Sequence, residues 1–366
     1  MDLRIDLAVL GALVVGIITL MSYGDGRLWG RMRSWLGRRE TGVREVIVPR
    51  EPAADPTTAL EVRRVLTPAP DTAPPDADTA GDADESGADQ PFDSIDFIVF
   101  LPGDRPVIRD AALGVYKQNE YVIDKPHKLY GRRLHGDRWS ELARDPVMME
   151  YGLLAVAMQL ADRVGPAAES DLNSFSQVAL KLADSLDRST RFNMTFERAM
   201  ETAVTLDRFC SDHDVIASIN ISAETVTAFR GPAIERAAQE AGLQFGMRNI
   251  FHHPGARRGA ILYSLANLYK PGSFDPLRWD TLQTQGLTLF MSVPGVPDPE
   301  ATFADMARVA RLLARRLGGK LLDQDRRPLS EAGITAISQQ IATIAARMRE
   351  HGIAPGGPQA TRLFPP

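Results

Sequence analysis

Alternating apolar residues between positions 215 and 293 constrain the fold of this 366-residue chain more than any other feature. Four runs show the period of β-strands, in which successive side chains point to opposite faces of a sheet. One face of each run is largely apolar, as expected for a face that packs against helices. The runs are Val215–Ser222, Leu243–His252, Ala260–Lys270 and Gly286–Val293.

The opposite face of these runs mixes apolar and polar side chains. It carries Ile216 and Ser218 on the first run and Thr288 and Phe290 on the last. Such a face is too apolar for full exposure to solvent and too polar for a second hydrophobic core. It is typical of a shallow docking surface for another protein chain. The alternative is that it packs against another part of the same chain.

Helical segments surround these runs. Pro232 favours the start of a helix, and Gly242 favours its end in the left-handed conformation. Gly318 and Gly319 are expected to end a later helix. Ser330 is a predicted N-cap of the last helix. The order of elements predicts an α+β fold, in which an antiparallel sheet of the split β-α-β type carries its helices on one face.

Residues 92–210 repeat the order of elements predicted for residues 211–350. In the first part, a strand at Gly152 is followed by a helix and then by a helix that Thr195 caps. In the second part, a strand at Gly286 is followed by a helix and then by the helix capped by Ser330. We infer two tandem modules, of which 92–210 is either a degenerate scaffold or a second binding face. Residues 351–366 are expected to form a disordered tail.

Residues 7–24 are uncharged and mostly apolar, and as a helix they would span ~27 Å, enough to cross a bilayer core. A cleaved signal peptide is the alternative, but the first six residues hold two acids and one base. We predict a single-pass transmembrane anchor at 1–24 and a basic juxtamembrane segment at 25–39 that rests on anionic lipids. Because basic residues stay on the cytoplasmic side, the N-terminus faces outward and the bulk of the chain is cytoplasmic.

Residues 40–91 are rich in Pro, Ala, Asp and Thr and contain no aromatic residue. This composition cannot bury enough apolar area to offset chain entropy, so we predict a disordered linker. The net charge of -5 argues against a general nucleic-acid binder. The single cysteine, Cys210, excludes an internal disulfide and is interpreted as a small buried residue.

The sequence gives no support to an enzymatic function. It contains no glycine-rich phosphate loop of the required spacing. His252 and His253 are adjacent in a predicted strand, so they point to opposite faces and cannot share a metal ion. His213, between two aspartates, is interpreted as part of a solvated cluster on a turn. We therefore predict no catalytic, cofactor-binding or metal-binding residue and no small-molecule substrate.

Three stretches of the second module resemble the C-terminal domain of the ZipA family of bacterial cell-division proteins. They are Phe245–His252, Leu262–Pro276 and Gly286–Met291. The resemblance covers roughly residues 214–348 and extends to the layout of anchor and linker. It implies that the domain binds the C-terminal peptide of FtsZ, the tubulin-like division protein, in a shallow cleft on the uncovered sheet face.

The resemblance also implies the residues of the cleft, with Phe290 as the natural anchor. Ser218 and Arg248 depart from the family, which has large apolar residues there. The implied function is a membrane-anchored adaptor that tethers FtsZ filaments to the cell inner membrane and helps Z-ring and septum assembly. The alternative is a membrane-tethered scaffold that uses the same fold to bind a different protein. The implied cleft residues are Ile216, Ser218, Arg248, Ile250, Ala266, Leu268, Lys270, Thr288 and Phe290.

Overall fold

The computed structural model describes residues 89–224, 227–257, 259–323 and 325–365. The predicted anchor at 1–24, the basic segment at 25–39 and all but the end of the predicted linker at 40–91 lie outside these residues. Within the described ranges, no helix is both long enough and apolar enough to cross a membrane.

The first half of the described chain builds a five-stranded antiparallel sheet. Three helices pack on one face of it, around a core that includes Phe97, Val156 and Phe175. Its elements are β1 (Asp96–Ile108), α1 (Arg109–Asn119), β2 (His127–Arg133), β3 (Trp139–Glu141), β4 (Glu150–Gln159), β5 (Ala161–Asp162), β6 (Gly165–Pro166), α2 (Glu169–Ser185), β7 (Arg191–Phe192) and α3 (Phe196–His213).

The second half builds a six-stranded antiparallel sheet, again with helices on one face. Its core includes Ile219, Leu289 and Phe303. Its elements are β8 (Ile216–Ala223), β9 (Phe229–Arg230), α4 (Gly231–Glu240), β10 (Gln244–Phe245), β11 (Phe251–Pro254), β12 (Ile261–Asn267), β13 (Gln283–Thr284), β14 (Gly286–Ser292), α5 (Pro299–Leu317), β15 (Gly319–Leu322), α6 (Glu331–Glu350) and α7 (Pro358–Leu363).

The two sheets share one topology at their centre. The strand order is β3-β2-β4-β1-β7 in the first and β10-β11-β12-β14-β8-β15 in the second. In the first sheet, the opening strand β1 lies between β4 and β7, and helix α2 connects the chain from β4 to β7 by way of the short strands β5 and β6. In the second sheet, the opening strand β8 lies between β14 and β15, which α5 connects. The prediction of an α+β fold with antiparallel sheets is confirmed.

Local signals in the sequence set the helix ends. The side chain of Thr195 accepts a hydrogen bond from the backbone N–H of Arg198 at the start of α3, and that of Ser330 accepts one from Gly333 at the start of α6. Gly318 ends α5 with a φ of 69°, a left-handed conformation that glycine adopts without steric cost. These caps satisfy backbone groups that have no partner inside the helix.

Helix α6 joins the two cores. Its side chains Ile334, Ile337 and Ile341 belong to the core of the second sheet, whereas Met348 near its end belongs to the core of the first. Ile344, between these positions, packs against both cores. The two halves are therefore in contact through one continuous helix.

The prediction of a disordered tail at 351–366 is wrong for the described residues. Helix α7 places Leu363, which is 3% exposed, and Phe364, which is 6% exposed, in the first core. Arg362 donates to both carboxylate oxygens of the fully buried Asp96, at 2.8 and 2.5 Å. The tail shows no periodicity of its own, because its partners lie more than 100 residues away in the sequence.

Candidate docking face

The face of the second sheet that lies opposite its helices is called the open face. On β8, Ala217, Ile219 and Ile221 point into the core and are fully buried. Alternation turns the residues between them toward the open face. The residues of the open face are Ile216, Ser218 and Asn220 on β8, His252 on β11, Ser264 and Ala266 on β12, and Thr288 and Phe290 on β14.

Phe290 lies in the middle of the open face. It stands directly opposite Ser218 on β8 and Ser264 on β12, and Ser264 stands opposite His252 on β11. Phe290 is half-buried and the helices pack on the other face, so its ring borders a surface and not the core. The next row along the strands consists of Ala266, Thr288 and Asn220.

Leu268 extends the apolar part of the open face beyond the end of β12. Its backbone N–H donates to the carbonyl of Gly286 at 3.0 Å, which continues the pairing with β14. A Cβ atom on Gly286 would lie 2.8 Å from Cδ2 of Leu268, closer than real Cβ contacts allow. The missing side chain at Gly286 therefore lets Leu268 lie across β14 in a half-buried position.

Arg248 lies in a turn and not in a strand. The prediction of one continuous strand over Leu243–His252 is therefore wrong. The structure divides it into β10 and β11, separated by the 3₁₀ turn Met247–Asn249. Arg248 has a φ of 58° and Asn249 a φ of 55°, both left-handed. The alternation in the sequence continues through the turn, so it could not reveal the break. Ile250, directly after the turn, is 7% exposed.

Two cations border the open face. Arg248, in the turn before β11, and Lys270, in the turn after β12, are both exposed. In the part of the chain that the structure describes, neither has a carboxylate within salt-bridge distance. Both charges are thus available to a carboxylate of a bound chain.

Several polar side chains of the open face have partners within the protein. Asn220, which is 8% exposed, donates to the carbonyl of Asp323 at 3.1 Å. Ser264, which is 6% exposed, is hydrogen-bonded to a ring nitrogen of His252 at 2.9 Å. Covering the Asn220 amide N–H and the Ser264 hydroxyl with another chain therefore does not deprive them of a hydrogen-bond partner. This lowers the cost of docking a partner there.

The corresponding face of the first sheet is arranged differently. Its own side chains form a small satellite cluster of Ile98, Tyr130, Ala155 and Ala157, against which Phe100 and Trp139 pack. The rings of Phe100 and Trp139 are 6.3 Å apart, and the guanidinium of Arg191 lies 4.9 Å from the Phe100 ring centre. Aromatic side chains thus cover their own sheet here, so the second sheet is the better candidate for a docking site.

The histidines give no sign of a catalytic or metal centre. His213 is the last residue of α3, is 7% exposed and stacks on Phe209 with ring centres 4.3 Å apart. The interpretation of His213 as part of a solvated cluster is therefore wrong, and burial lowers the pKa of its ring. His253 stacks on Tyr263, on the other side of β11 from His252, as predicted. Among the residues described, no three potential ligands converge on a metal position.

A groove of about 280 Å³ lies elsewhere, between α3 and the residues after α6. Thr202 and Thr205 in its wall donate to backbone carbonyls one turn earlier in α3, at 2.8 and 2.9 Å. These hydroxyls are satisfied locally and do not converge on a substrate position. The groove does not resemble an active site.

Residues 215–340 match the model of a protein family, the C-terminal FtsZ-binding domain of ZipA. This part of the chain is similar to the ZipA family. The cell division protein ZipA of Pseudomonas aeruginosa strain PAO1 is 38% identical over 130 residues, which cover 35% of this chain and 45% of the relative. The open face lies within the matched range.

Two other ZipA proteins match with similar identity and coverage. The protein of Azotobacter vinelandii is 38% identical over 125 residues, which cover 34% of this chain and 44% of the relative. That of Pseudomonas fluorescens is 35% identical over 131 residues, with 35% and 46% covered. The chain thus spans less than half the length of these ZipA proteins, and the first sheet lies outside the match.

The register brings together most of the predicted ZipA cleft residues. Five lie on one sheet face, Ile250 and Leu268 adjoin it, and Arg248 and Lys270 lie in bordering turns. Two residues of this surface, Ser264 and His252, are absent from the predicted set although they share a row with Phe290. The alternation of their strands could have identified them. The five are Ile216, Ser218, Ala266, Thr288 and Phe290.

Proposed function

We propose that this chain is a membrane-anchored cell-division adaptor that binds the C-terminal peptide of FtsZ on its open face and tethers FtsZ filaments to the cell inner membrane. The observation that carries the proposal is the position of Phe290, half-buried at the centre of a sheet face that the helices leave uncovered. In this role the chain helps to assemble the Z-ring and the division septum.

Apolar contacts supply most of the binding free energy. Burying one aromatic or leucine side chain contributes about 1.5–3 kcal/mol. Phe290, Leu268 and Ile216 are large apolar groups in half-buried positions on this surface. Ordering a peptide tail offsets part of the gain, so we expect a Kd on the order of micromolar.

Charge contributes less to affinity than to orientation. Arg248 and Lys270 can meet carboxylates of an acidic tail, but exposed ion pairs contribute only about 0–1 kcal/mol. Their main effect is to attract an acidic segment and fix its direction across the open face. We therefore expect binding to weaken modestly at high salt, with most of the affinity retained.

The membrane part of the proposal rests on the sequence. The apolar stretch at 1–24 supplies a single-pass anchor with the N-terminus in the periplasm, and 25–39 lies on anionic lipids. The linker at 40–91 then sets the reach of the docking face from the bilayer. As a coil it would extend ~40 Å, and fully extended in a polyproline-like form at most ~155 Å.

The test is a titration of the full-length chain in lipid nanodiscs with a fluorescent peptide of the host's FtsZ C-terminus. Saturable binding is expected, and Phe290→Ala or Leu268→Ala should each weaken it by about tenfold or more, because each removes a buried apolar anchor. Val204→Ala, at a half-exposed valine on α3, is the matched control and should leave the Kd unchanged. Absence of binding at millimolar peptide would reject FtsZ as the partner.

A second candidate is a scaffold that uses the same face for another protein. Ser218 and Arg248, at positions where ZipA relatives are expected to carry large apolar residues, favour it because they make the site more polar. The same titration separates the two. If the FtsZ peptide fails to bind while the chain stays folded, this second function is the one supported.

A further inference from the structure

His252 connects the open face to the turn that precedes β11. One ring nitrogen, Nε2, lies 2.9 Å from the carbonyl oxygen of Met247, and the other, Nδ1, lies 2.9 Å from Oγ of Ser264. A carbonyl only accepts, so Nε2 carries the proton and donates to Met247. In the neutral ring Nδ1 then accepts from the Ser264 hydroxyl. His252 thus ties the turn to the row that contains Phe290.

The hydrogen bond from His252 supports a turn whose backbone conformation is unusual. Arg248 and Asn249 are both left-handed, which non-glycine residues rarely adopt, and two in succession are rarer still. Backbone hydrogen bonds hold its ends: Gly246 donates to Ile250 at 3.0 Å, and Phe274 donates to Asn249 at 2.8 Å. The middle of the turn, at the Met247 carbonyl, is held by a side chain.

The turn presents an apolar and a cationic side chain next to each other. Met247 is 69% exposed, which is unusual for a large apolar residue, and Arg248 beside it is exposed as well. Methionine has a flexible and polarisable side chain that adapts to the shape of a partner. At position 248, the ZipA resemblance implies a large apolar residue, and here there is an arginine. Met247 can therefore supply the apolar contact in its place.

We propose that the turn Met247–Asn249 forms an end wall of the docking face, where Met247 contacts an apolar side chain and Arg248 a carboxylate of the bound tail, and that His252 is the positioning residue that holds this wall in place. The inference rests on the proposed function for its ligand. It goes further by assigning Met247 and His252 to the site and by defining the chemistry of the tail at that end, an apolar residue adjacent to an acidic one.

The test is a double-mutant cycle measured with the same nanodisc preparation and FtsZ peptide. We expect Met247→Ala and His252→Ala each to weaken binding about fivefold, as for a residue at the edge of an interface. Because His252 acts through Met247, the double variant should also lose about fivefold, whereas independent effects would multiply to about 25-fold. His252→Gln, whose amide can donate to the Met247 carbonyl, should restore part of the affinity.

Two controls separate positioning from a general loss of structure. Leu268 lies beyond the row formed by Ala266 and Thr288, away from His252. The effect of Leu268→Ala on the Kd should therefore multiply with that of His252→Ala. His135→Ala, at an exposed histidine of the first half, should leave the Kd unchanged. If the effects of His252→Ala and Met247→Ala multiply fully, the positioning role is rejected while FtsZ binding stands.

Hydrogen–deuterium exchange of residues 244–250 in the full-length chain gives a readout that needs no peptide. His252→Ala should speed exchange in this segment severalfold, because the turn loses its side-chain tie. Met247→Ala, which keeps the carbonyl that His252 binds, should not. Unchanged exchange in His252→Ala overturns the positioning role even if the FtsZ peptide does not bind, whereas faster exchange without peptide binding rejects only the ligand.

Discussion

At the scale of single residues, the docking face depends on what small side chains permit. Gly286 allows Leu268 to cross β14, and Ala266 leaves space beside Thr288 in the neighbouring row. Large residues at both positions would fill the face, as Phe100 and Trp139 do on the first sheet. The open face is therefore defined as much by the absence of side-chain volume as by its one aromatic ring.

Asp145 offers a residue-scale test of stability. Burial raises the pKa of its carboxyl, but hydrogen bonds from Arg133, Ser140 and Tyr151 outweigh burial and hold that pKa below its usual value. A carboxyl with a lowered folded-state pKa stabilises the fold above its unfolded pKa of about 3.9, and this contribution disappears as pH falls further.

We expect Asp145→Asn to lower the free energy of unfolding by about 1–3 kcal/mol at pH 7, since it removes a charged acceptor of three hydrogen bonds. The difference from wild type should shrink as pH falls below about 4, where the unfolded state takes up a proton first and folded Asp145 follows at its lowered pKa. Urea unfolding at a series of pH values measures it. Asp124→Asn, at an exposed aspartate, should show no such difference, and a pH-independent gap for Asp145→Asn would contradict this assignment.

At the scale of elements, helix α6 has a special position because its side chains enter both cores. Its start is fixed by Ser330, whose side chain accepts the backbone N–H of Gly333 at 3.1 Å. The first residue of α6, Glu331, also accepts two hydrogen bonds from the guanidinium of Arg311 on α5. Fraying of this end would loosen the packing of α6 on the second core.

Ser330→Ala should therefore destabilise the protein by about 1 kcal/mol, the usual cost of losing an N-cap. In a chain of this size that corresponds to a fall in Tm of about 2–4 °C. Differential scanning calorimetry of the full-length chain measures it. Ser170→Ala, at an exposed serine in the first turn of α2, is the matched control, and an equal loss there would contradict the capping role.

At the scale of the whole molecule, the C-terminal segment returns from the second half to the first. Gly356, with a φ of 64°, fits closely against the backbone of Val296 and Pro297 and donates to Pro294 at 2.9 Å. Beyond Gly356, Arg362 forms hydrogen bonds to the buried Asp96, and the ring centre of Phe364 lies 6.3 Å from that of Phe209. This segment, with α6, holds the two halves together.

Among the residues that the structure describes, removal of the Arg362 side chain would leave the buried Asp96 carboxylate with one hydrogen-bond donor, the backbone N–H of Phe92. Breaking a buried ion pair on one side costs about 3–5 kcal/mol, so Arg362→Ala should lower the unfolding free energy by about 3 kcal/mol. Chemical denaturation measures it, with Arg349→Ala, at an exposed arginine of α6, as the control. A loss below about 1 kcal/mol would show that the tail is not a structural part of the first core.

The sequence by itself determined the features that depend on neighbouring residues. Period-two alternation gave the faces of β8, β12 and β14, and hence the outward position of Phe290, because side-chain direction in a strand depends only on parity. The caps at Thr195 and Ser330 followed from side chains that bond to backbone three residues away. These interactions are local, so a local pattern suffices to predict them.

Only the tertiary structure decided the features that depend on distant partners. The turn at Met247–Asn249 is held in part by Phe274, His213 packs beside His351, and the order of the tail depends on Asp96. None of these partners is marked by spacing in the sequence. Contacts between residues that are far apart along the chain form only once the two sheets and their helices have brought them together.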